Sequence, residues 1–327
     1  MALTFEIMSV GDQDDFWHDT SVLRRALMQD QPRIPSYYGY DDHGSVLFEK
    51  VTELPQYYLT RVEQDLLRTS ATELADIISG CAVVELGSGS AKKTGEVLHA
   101  LSKHAAPQFV PLDVSASMVQ SSFETLSERI PNLRFTGVVG RYEETLPWLS
   151  LSSSVGRKCV MLLGSNLGNM LVYERHELLK LIIATLGMED YIYVTADLAK
   201  SQMMLESAYN DPPTDRTFSD FRLNRLFHLN ALYGSSFDAG RFYEYAHYNT
   251  GLQRIEAHLY SAEDQTVDLG RLDAELPLTK GSSIVVDYAI KFDITGLVAE
   301  MNMLGARQVT SWIDTRYRYG AFLFRRS

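Results

Sequence analysis

The fold of this chain is decided by the stretch Val83-Val84-Glu85-Leu86-Gly87-Ser88-Gly89-Ser90-Ala91-Lys92-Lys93-Thr94. Here a short apolar run is joined to a helix-like segment through Gly87 and Gly89. In a parallel sheet, a turn of this kind presents a nucleotide or a nucleoside to the N-terminus of the following helix. The stretch therefore predicts a strand, a ligand-binding turn and a helix, in that order.

The segments on either side of this turn alternate between strand and helix patterns. Strand-like apolar runs occupy 81–86, 109–113, 133–139, 158–163 and 191–197, and helix-like segments occupy 92–103, 115–129 and 173–186. This alternation predicts parallel βαβ units with right-handed crossovers, hence a doubly wound α/β sheet. A helix over 293–304 followed by strands over 308–314 and 319–324 predicts a closing hairpin.

The segment before the glycine turn predicts a long helix. Thr60 and Glu63 have the spacing of a capping box, which places the helix start near Arg61. Gly80 is expected to end the helix. Upstream, a helix over 19–28 is followed by a turn-rich run of tyrosines over 37–44, which either pack on the surface or line a pocket.

The pattern changes after residue 200. Helices are expected over 201–210 and 218–232, and strands over 241–248, 254–260 and 283–292 form an antiparallel meander. We therefore predict four segments: 1–60 contributing to a substrate domain, 61–200 as a Rossmann-like core, 201–288 as an inserted α+β substrate domain, and 289–327 returning to the core.

Composition narrows the class of partner. A net charge of −12 over 327 residues argues against nucleic acid as a partner, because nucleic-acid phosphates are normally bound by Lys and Arg.

The two cysteines, Cys81 and Cys159, lie in apolar runs and are expected to be core thiols, and we expect no metal. Asp12, Asp14 and Asp15 do not fit a signal peptide, and no apolar run is long enough for a membrane span, so we expect a cytoplasmic protein.

The glycine turn favours a nucleoside over a dinucleotide. Lys92 occupies the third position of the dinucleotide fingerprint, where glycine or alanine is needed. Glu85 ends the first strand, and Asp113 ends the second, where a carboxylate meets ribose hydroxyls. This combination resembles the class I methyltransferase fold that binds S-adenosylmethionine.

The chain also resembles a particular family, which contains the histidine-specific Nα-methyltransferase of ergothioneine biosynthesis and fungal dimethylallyltryptophan N-methyltransferases. The resemblance covers roughly residue 35 to the C-terminus. It is carried by Tyr40-Asp41 with Gly44-Ser45-x-Leu47-Phe48, by Leu54-Pro55-Gln56-Tyr57-Tyr58-x-Thr60-Arg61-x-Glu63, by Glu85-Leu86-Gly87-Ser88-Gly89-Ser90-x-Lys92-Lys93-Thr94, and by Leu163-Gly164-Ser165-Asn166-Leu167-Gly168-Asn169.

The resemblance implies a set of site residues. It implies that Tyr57, Tyr209 and Asn169 hold the α-carboxylate and α-amine of a free amino acid, and that Tyr40 closes over it. The implied contacts of S-adenosylmethionine, and of its product S-adenosylhomocysteine, are Glu85, Gly87, Ser88, Gly89, Lys93, Asp113, Arg141, Tyr142 and Gly164. Arg141 stands where the family carries an acid beside the adenine.

The side-chain pocket departs from the histidine enzyme. A glutamate and a serine that bind the imidazole there are matched here by Asp287 and Ala289, two residues apart on one strand face. Ala257 falls where the histidine enzyme has a larger residue. We therefore expect an N-methyltransferase for an amino acid with a basic or heteroaromatic side chain, with arginine and tryptophan types as candidates beside histidine.

Two other classes are consistent with parts of the sequence. One is a noncatalytic ligand-binding protein on the same fold, which the set Tyr57, Asn169 and Tyr209 argues against. The other is an NAD-dependent oxidoreductase, which Lys92 disfavours.

Overall fold

The computed structural model of this chain describes residues 4–11 and 20–327. Asp12, Asp14 and Asp15 lie outside these residues. The strands are β1 (Thr4–Ser9), β2 (Ala82–Leu86), β3 (Gln108–Asp113), β4 (Arg134–Val139), β5 (Lys158–Leu162), β6 (Tyr191–Asp197), β7 (Phe242–Asn249), β8 (Arg254–Ser261), β9 (Gln265–Asp268), β10 (Glu275–Leu278), β11 (Ser283–Ile290), β12 (Ala306–Asp314) and β13 (Tyr319–Arg326).

The helices match most of the predicted segments. They are α1 (Thr20–Leu27), α2 (Asp42–Glu53), α3 (Tyr58–Ile77), α4 (Thr94–Leu101), α5 (Ala116–Ser127), α6 (Tyr142–Leu151), α7 (Val172–Thr185), α8 (Gln202–Tyr209), α9 (Thr217–Tyr233) and α10 (Ile294–Met303). Short 3₁₀ helices occupy Ser36–Gly39, Asn166–Asn169, Ala239–Arg241 and Gly270–Leu272. Sequence patterns missed α2 and α6.

The first of two compact units comprises residues 4–11, Leu59–Leu198 and Phe292–Ser327. It contains an eight-stranded sheet in the order β1-β4-β3-β2-β5-β6-β13-β12. The strands from β1 to β6 in this order pair in parallel, whereas β13 is antiparallel to both β6 and β12. The predicted doubly wound sheet and closing hairpin are confirmed, and β1 is an additional edge strand.

The core of this unit follows from the strand sequences. Every residue of β2, β5 and β6 is buried, as expected for central strands that are covered on both faces. The two cysteines, Cys81 and Cys159, are free and belong to this core, as predicted.

The start of α3 differs from the prediction. The helix begins at Tyr58 rather than near Arg61, so Glu63 lies beyond the first turn and cannot cap its N-terminus. Glu63 instead lies on the buried stripe of α3 with Leu59, Val62 and Leu67. The capping-box prediction is therefore wrong, and the role of this carboxylate is described below.

The second unit comprises residues 20–58 and Ala199–Lys291. Its three-stranded sheet has the order β11-β8-β7 with antiparallel pairing, which confirms the predicted meander for these strands. The segment between β8 and β11 forms a separate β9–β10 hairpin that was not predicted. Assignment of the units to cofactor and substrate stays a prediction. Within the described ranges, no helix is both long and apolar enough to cross a membrane.

Candidate active site

The glycine turn after β2 is tied to the end of β3. Gly87 and Gly89 have φ values of +67° and +50°, in the left-handed region that favours glycine. The amide of Gly89 donates to Asp113 Oδ2 over 3.1 Å, and the amide of Ser115 donates to Asp113 Oδ1 over 3.0 Å. Burial raises the pKa of Asp113, although these backbone hydrogen bonds oppose the shift. Asp113 is thus held beside the turn, as predicted from the sequence.

The end of β2 and the turn after it carry polar atoms that the described residues leave unsatisfied. Glu85 Oε2 and Ser88 Oγ are buried without a hydrogen-bond partner among the residues that the structure describes. Burial raises the pKa of Glu85 to about 8. Since buried polar groups are normally hydrogen-bonded, unsatisfied atoms beside the exposed Gly87 fit a polar ligand.

Glu63 is the carboxylate that organises this end of the sheet. Its Oε2 accepts from the ammonium of Lys93, and its Oε1 accepts from the Thr195 hydroxyl, from the Gly164 amide over 2.5 Å and from the Tyr319 hydroxyl over 3.0 Å. Burial alone would raise the pKa of Glu63. The Lys93 charge and the hydrogen bonds outweigh burial and hold this pKa below its ordinary value.

Glu63 therefore links two residues that the resemblance assigns to the cofactor, Lys93 and Gly164. Sequence reasoning missed this role because Glu63 also fits a capping box. The available signal was an acid on the apolar stripe of α3, where a charge needs a buried partner.

Tyr142 and Arg141 lie where β4 leads into α6. A Cβ on Gly87 would lie 2.8 Å from the Tyr142 hydroxyl, so this close approach requires glycine. Burial, followed by the nearby carboxylates of Asp113 and Glu85, raises the pKa of Tyr142. Arg141 Nε lies 3.5 Å from Glu143 Oε2. Tyr142 is thus in the predicted cluster, while the Arg141 side chain is engaged by the neighbouring acid.

Asn169 is presented by a tightly turned loop after β5. Gly164 and Ser165 both have positive φ, and the 3₁₀ helix Asn166–Asn169 follows directly. The Ser165 amide donates to Thr195 Oγ1 over 3.2 Å, and Ser165 Oγ accepts from the Asp197 amide over 3.0 Å. Because β2 is flanked by β3 and β5, this loop and the glycine turn share the switch point of the sheet, where such folds bind ligands.

In the second unit, Tyr57 and Tyr209 are neighbours. Their ring centroids are 5.9 Å apart in an edge-to-face arrangement, and Phe218 stacks on Tyr209 at 6.3 Å. The ammonium of Lys291 donates to Tyr209 Oη over 2.9 Å, and Lys291 is 1% exposed. A buried cation beside this hydroxyl favours an anionic partner for it. Sequence reasoning assigned no role to Lys291, although a lysine between Ile290 and Phe292 in an apolar run was a usable signal.

The predicted side-chain pocket residues are also in the second unit. Asp287 pairs with Ala257 across the β8–β11 ladder, next to a bulge at Val285/Asp287, and Ala289 pairs with Ile255. Ala257 and Ala289 are both buried. Tyr40 packs edge-on against Phe221 of α9, with the ring centroids 5.5 Å apart.

Asp287 is engaged by two arginines of α9. Arg225 Nη2 donates to Asp287 Oδ1 over 2.6 Å, and Arg222 Nε lies 3.7 Å from Oδ2. Arg222 also binds Glu244. Both arginines are buried, so they form a compact group of two cations and two anions with Asp287 and Glu244. This pairing of Asp287 within the chain was not predicted.

These features define a class I methyltransferase dependent on S-adenosylmethionine. The parallel sheet with its antiparallel closing hairpin, the glycine turn, the acid at the end of β3 and the unsatisfied Glu85 and Ser88 atoms fit that cofactor. The chain belongs to the family described as histidine-specific, S-adenosylmethionine-dependent methyltransferases, whose model matches residues 19–326. It is therefore an amino-acid N-methyltransferase.

The chain is similar to named proteins over most of its length. The chain is 32% identical over 302 residues to histidine N-alpha-methyltransferase of Mycolicibacterium smegmatis, covering 92% of each. It is 27% identical to N-methyltransferase fsqC of Aspergillus fumigatus, covering 90% of this chain and 80% of that one. The solved structure of the CcbJ methyltransferase from Streptomyces caelestis covers 80% of this chain and 94% of its own, at 16% identity and a TM-score of 0.46.

Proposed function

We propose that this enzyme methylates the α-amine of a free amino acid with a neutral heteroaromatic side chain of the tryptophan type, in preference to histidine or arginine. The observation that carries the proposal is the ion pair of Asp287 with Arg225. A carboxylate that is already paired with two buried arginines offers little net negative charge to a guanidinium or an imidazolium. Its remaining lone pairs still accept from a neutral ring N–H.

The size of the neighbouring residues supports the same substrate class. Ala257 and Ala289 are small, and the bulge beside Asp287 shifts the register of β11 against β8. An indole-sized ring needs more space than an imidazole, and small side chains at these positions would take up less of it than larger ones. Loss of the hydroxyl that the family serine provides removes a specific imidazole contact, and a site that lacks a partner discriminates less well.

The backbone of the amino acid is proposed to bind through Tyr57, Tyr209 and Asn169, as the family resemblance implies. Lys291 donates to Tyr209 Oη, so a buried cation lies beside the hydroxyl that is proposed to contact the substrate carboxylate. The side-chain carbonyl of Asn169 accepts from the α-amine and orients its lone pair. The name of the Mycolicibacterium relative, an N-alpha-methyltransferase, supports the α-amine as acceptor.

The cofactor is proposed to be held by the residues around the glycine turn. Asp113 would accept from the ribose hydroxyls, Glu85 and Ser88 would satisfy polar groups of the methionine part, and Gly87 and Gly89 allow close approach of the backbone. Lys93 and Gly164 are positioned by Glu63. When bound, S-adenosylmethionine supplies the sulfonium methyl that is transferred to nitrogen.

The test is an amino-acid panel with methyl-labelled cofactor. It contains the twenty amino acids and ring-alkylated tryptophans, with fragmentation mass spectrometry to locate the label. We expect kcat/KM for a tryptophan-type substrate to exceed that for histidine and arginine at least about tenfold, with the label on the α-nitrogen. Preferred labelling of histidine or arginine, or a label on a side-chain nitrogen, would overturn the proposal.

A further inference from the structure

A second cluster of polar side chains lies on the three-stranded sheet β11-β8-β7, on the face opposite to Ala257 and Asp287. His247 on β7 is directly opposite Glu256 on β8, and His258 follows two residues later on β8. Because adjacent residues of a strand alternate between faces, these three side chains point away from the face of Ala257 and Asp287. Neither the methyl transfer nor the proposed substrate pocket uses them.

The three side chains converge on one point. Glu256 Oε2 lies 3.5 Å from His247 Nε2 and 3.7 Å from His258 Nε2. All three ligand atoms lie within 4.8 Å of one another. In a tetrahedral zinc site with bonds of about 2.0–2.1 Å, the ligand atoms are about 3.4 Å apart. The observed spacing is therefore within a small side-chain adjustment of a metal site.

A second observation points to a ligand at this position. His258 is 6% exposed, and its Nε2 has no hydrogen-bond partner among the residues that the structure describes. Its other ring nitrogen, Nδ1, is 2.9 Å from the Ser283 hydroxyl. The histidine is thus oriented by one nitrogen and turns the other toward Glu256, as metal-binding histidines do.

Like His258, Glu256 is held by hydrogen bonds to one of its two polar side-chain atoms. Its Oε1 accepts from Arg254 Nε over 2.7 Å and from Asn249 Nδ2 over 3.2 Å. The Arg254 guanidinium also lies 3.9 Å from the centroid of the Tyr288 ring, a cation–π contact. Oε2 is left facing the two histidines, so the nearby cation and the ligand position use different oxygens of the same carboxylate.

We propose that His247, Glu256 and His258 form a binding site for a divalent transition-metal ion of the zinc class, with at least one coordination position open to solvent. Two imidazoles and one carboxylate suit zinc, cobalt, nickel and copper, and disfavour calcium and magnesium, which prefer oxygen ligands. This proposal departs from the expectation, made from the sequence, that the protein binds no metal. The available signal was the Glu-x-His alternation on β8 opposite a histidine on β7.

The test uses the full-length protein after treatment with a chelator. Titration with Zn²⁺ by calorimetry is expected to show one ion per chain, and Co²⁺ is expected to produce visible d–d absorption with nitrogen ligation. His247→Ala and Glu256→Gln should each weaken Zn²⁺ binding more than about a hundredfold. Ser283→Ala should weaken it about 10- to 100-fold, as loss of an outer-shell partner does.

His43→Ala is the matched control, since His43 is an exposed histidine of α2 in the same unit. It should leave Zn²⁺ affinity unchanged. His247 is partly exposed, so His247→Ala is expected to fold, which unchanged circular dichroism and S-adenosylhomocysteine binding would verify. The proposal is overturned if the wild-type protein binds no Zn²⁺, or if folded His247→Ala binds it as tightly as the wild type.

Discussion

Glu63 of α3 accepts a hydrogen bond from the ammonium of Lys93, a residue that lies 30 positions further along the chain in the loop after β2. The same carboxylate binds the Gly164 amide after β5. Two loops that flank the switch point of the sheet are therefore held by one buried acid. We therefore propose that Glu63 positions these two loops for the cofactor.

Glu63→Gln is expected to destabilise the fold and to weaken cofactor binding. Breaking a buried ion pair costs about 3–5 kcal/mol, so the free energy of unfolding in urea at pH 7 should fall by about that amount. Affinity for S-adenosylhomocysteine, measured by calorimetry, should fall about tenfold. Glu96→Gln, which disrupts the more exposed pair with Arg129, is the control and should cost less than about 1 kcal/mol. Equal effects of the two substitutions would contradict the role of Glu63.

The same pair predicts an acid dependence of stability. The folded-state pKa of Glu63 lies below its ordinary value, so its stabilising contribution is present above the unfolded-state pKa and is lost as pH falls through the folded-state pKa. The stability difference between the wild type and Glu63→Gln should therefore shrink in acid. Urea titrations from pH 7 down to pH 3 measure it, and a difference that stays constant over this range would argue against the pair.

Glu85 predicts that cofactor affinity depends on pH. Its pKa of about 8 means that the carboxyl is mostly protonated at pH 7 before the cofactor binds. A cofactor that carries a sulfonium and an ammonium favours the ionised form. Affinity should therefore rise between pH 7 and pH 9, by at most about tenfold per pH unit. Calorimetry in buffers of different ionisation enthalpy should show proton release, and Glu85→Gln should abolish the part of the pH dependence that Glu85 causes.

Replacing Lys291 is expected to weaken amino-acid binding more than it slows turnover. Lys291→Met removes the ammonium that donates to Tyr209 Oη, so the proposed carboxylate contact should weaken. A hydrogen bond to a charged group contributes about 1.5–3 kcal/mol, so KM for the amino acid should rise about ten- to a hundredfold, with a smaller change in kcat. Lys280→Met, at an exposed lysine of the same unit, should leave both constants unchanged. A loss confined to kcat would contradict the assignment.

Removing the carboxylate of Asp287 and lengthening its side chain are expected to have different effects on activity and stability. Asp287→Ala leaves Arg225 buried without its carboxylate and should lose most activity, together with about 3–5 kcal/mol of stability. Asp287→Glu keeps the charge and should retain more of both. Adding Arg225→Met to Asp287→Ala should recover stability but not tryptophan-type selectivity. Recovery of selectivity as well would show that Asp287 acts only on Arg225.

Features that depend on residues close together in the chain were predicted from the sequence, whereas contacts between residues far apart in the chain were missed. The strand before the glycine turn, the turn at Gly87 and Gly89 and the helix that begins after Ser115 depend on neighbours within a few residues, and all were predicted. The roles of Glu63 and Lys291 were missed because each partner lies far along the chain. Helix α2 was missed because its tyrosine- and glycine-rich approach suggested a loop.

The sequence by itself determined the fold class, because the alternation of strands and helices is a local pattern with few structural solutions. The Gly-x-Gly turn between acids favoured a nucleoside, and the family resemblance implied the cofactor. Only the tertiary structure decided which charges meet. The pairing of Asp287 with Arg225, and the convergence of His247, Glu256 and His258, depend on helix packing and strand register. Side chains brought together in this way have no fixed spacing along the chain, so the features that bear on substrate choice and on the proposed metal site emerged only from the folded protein.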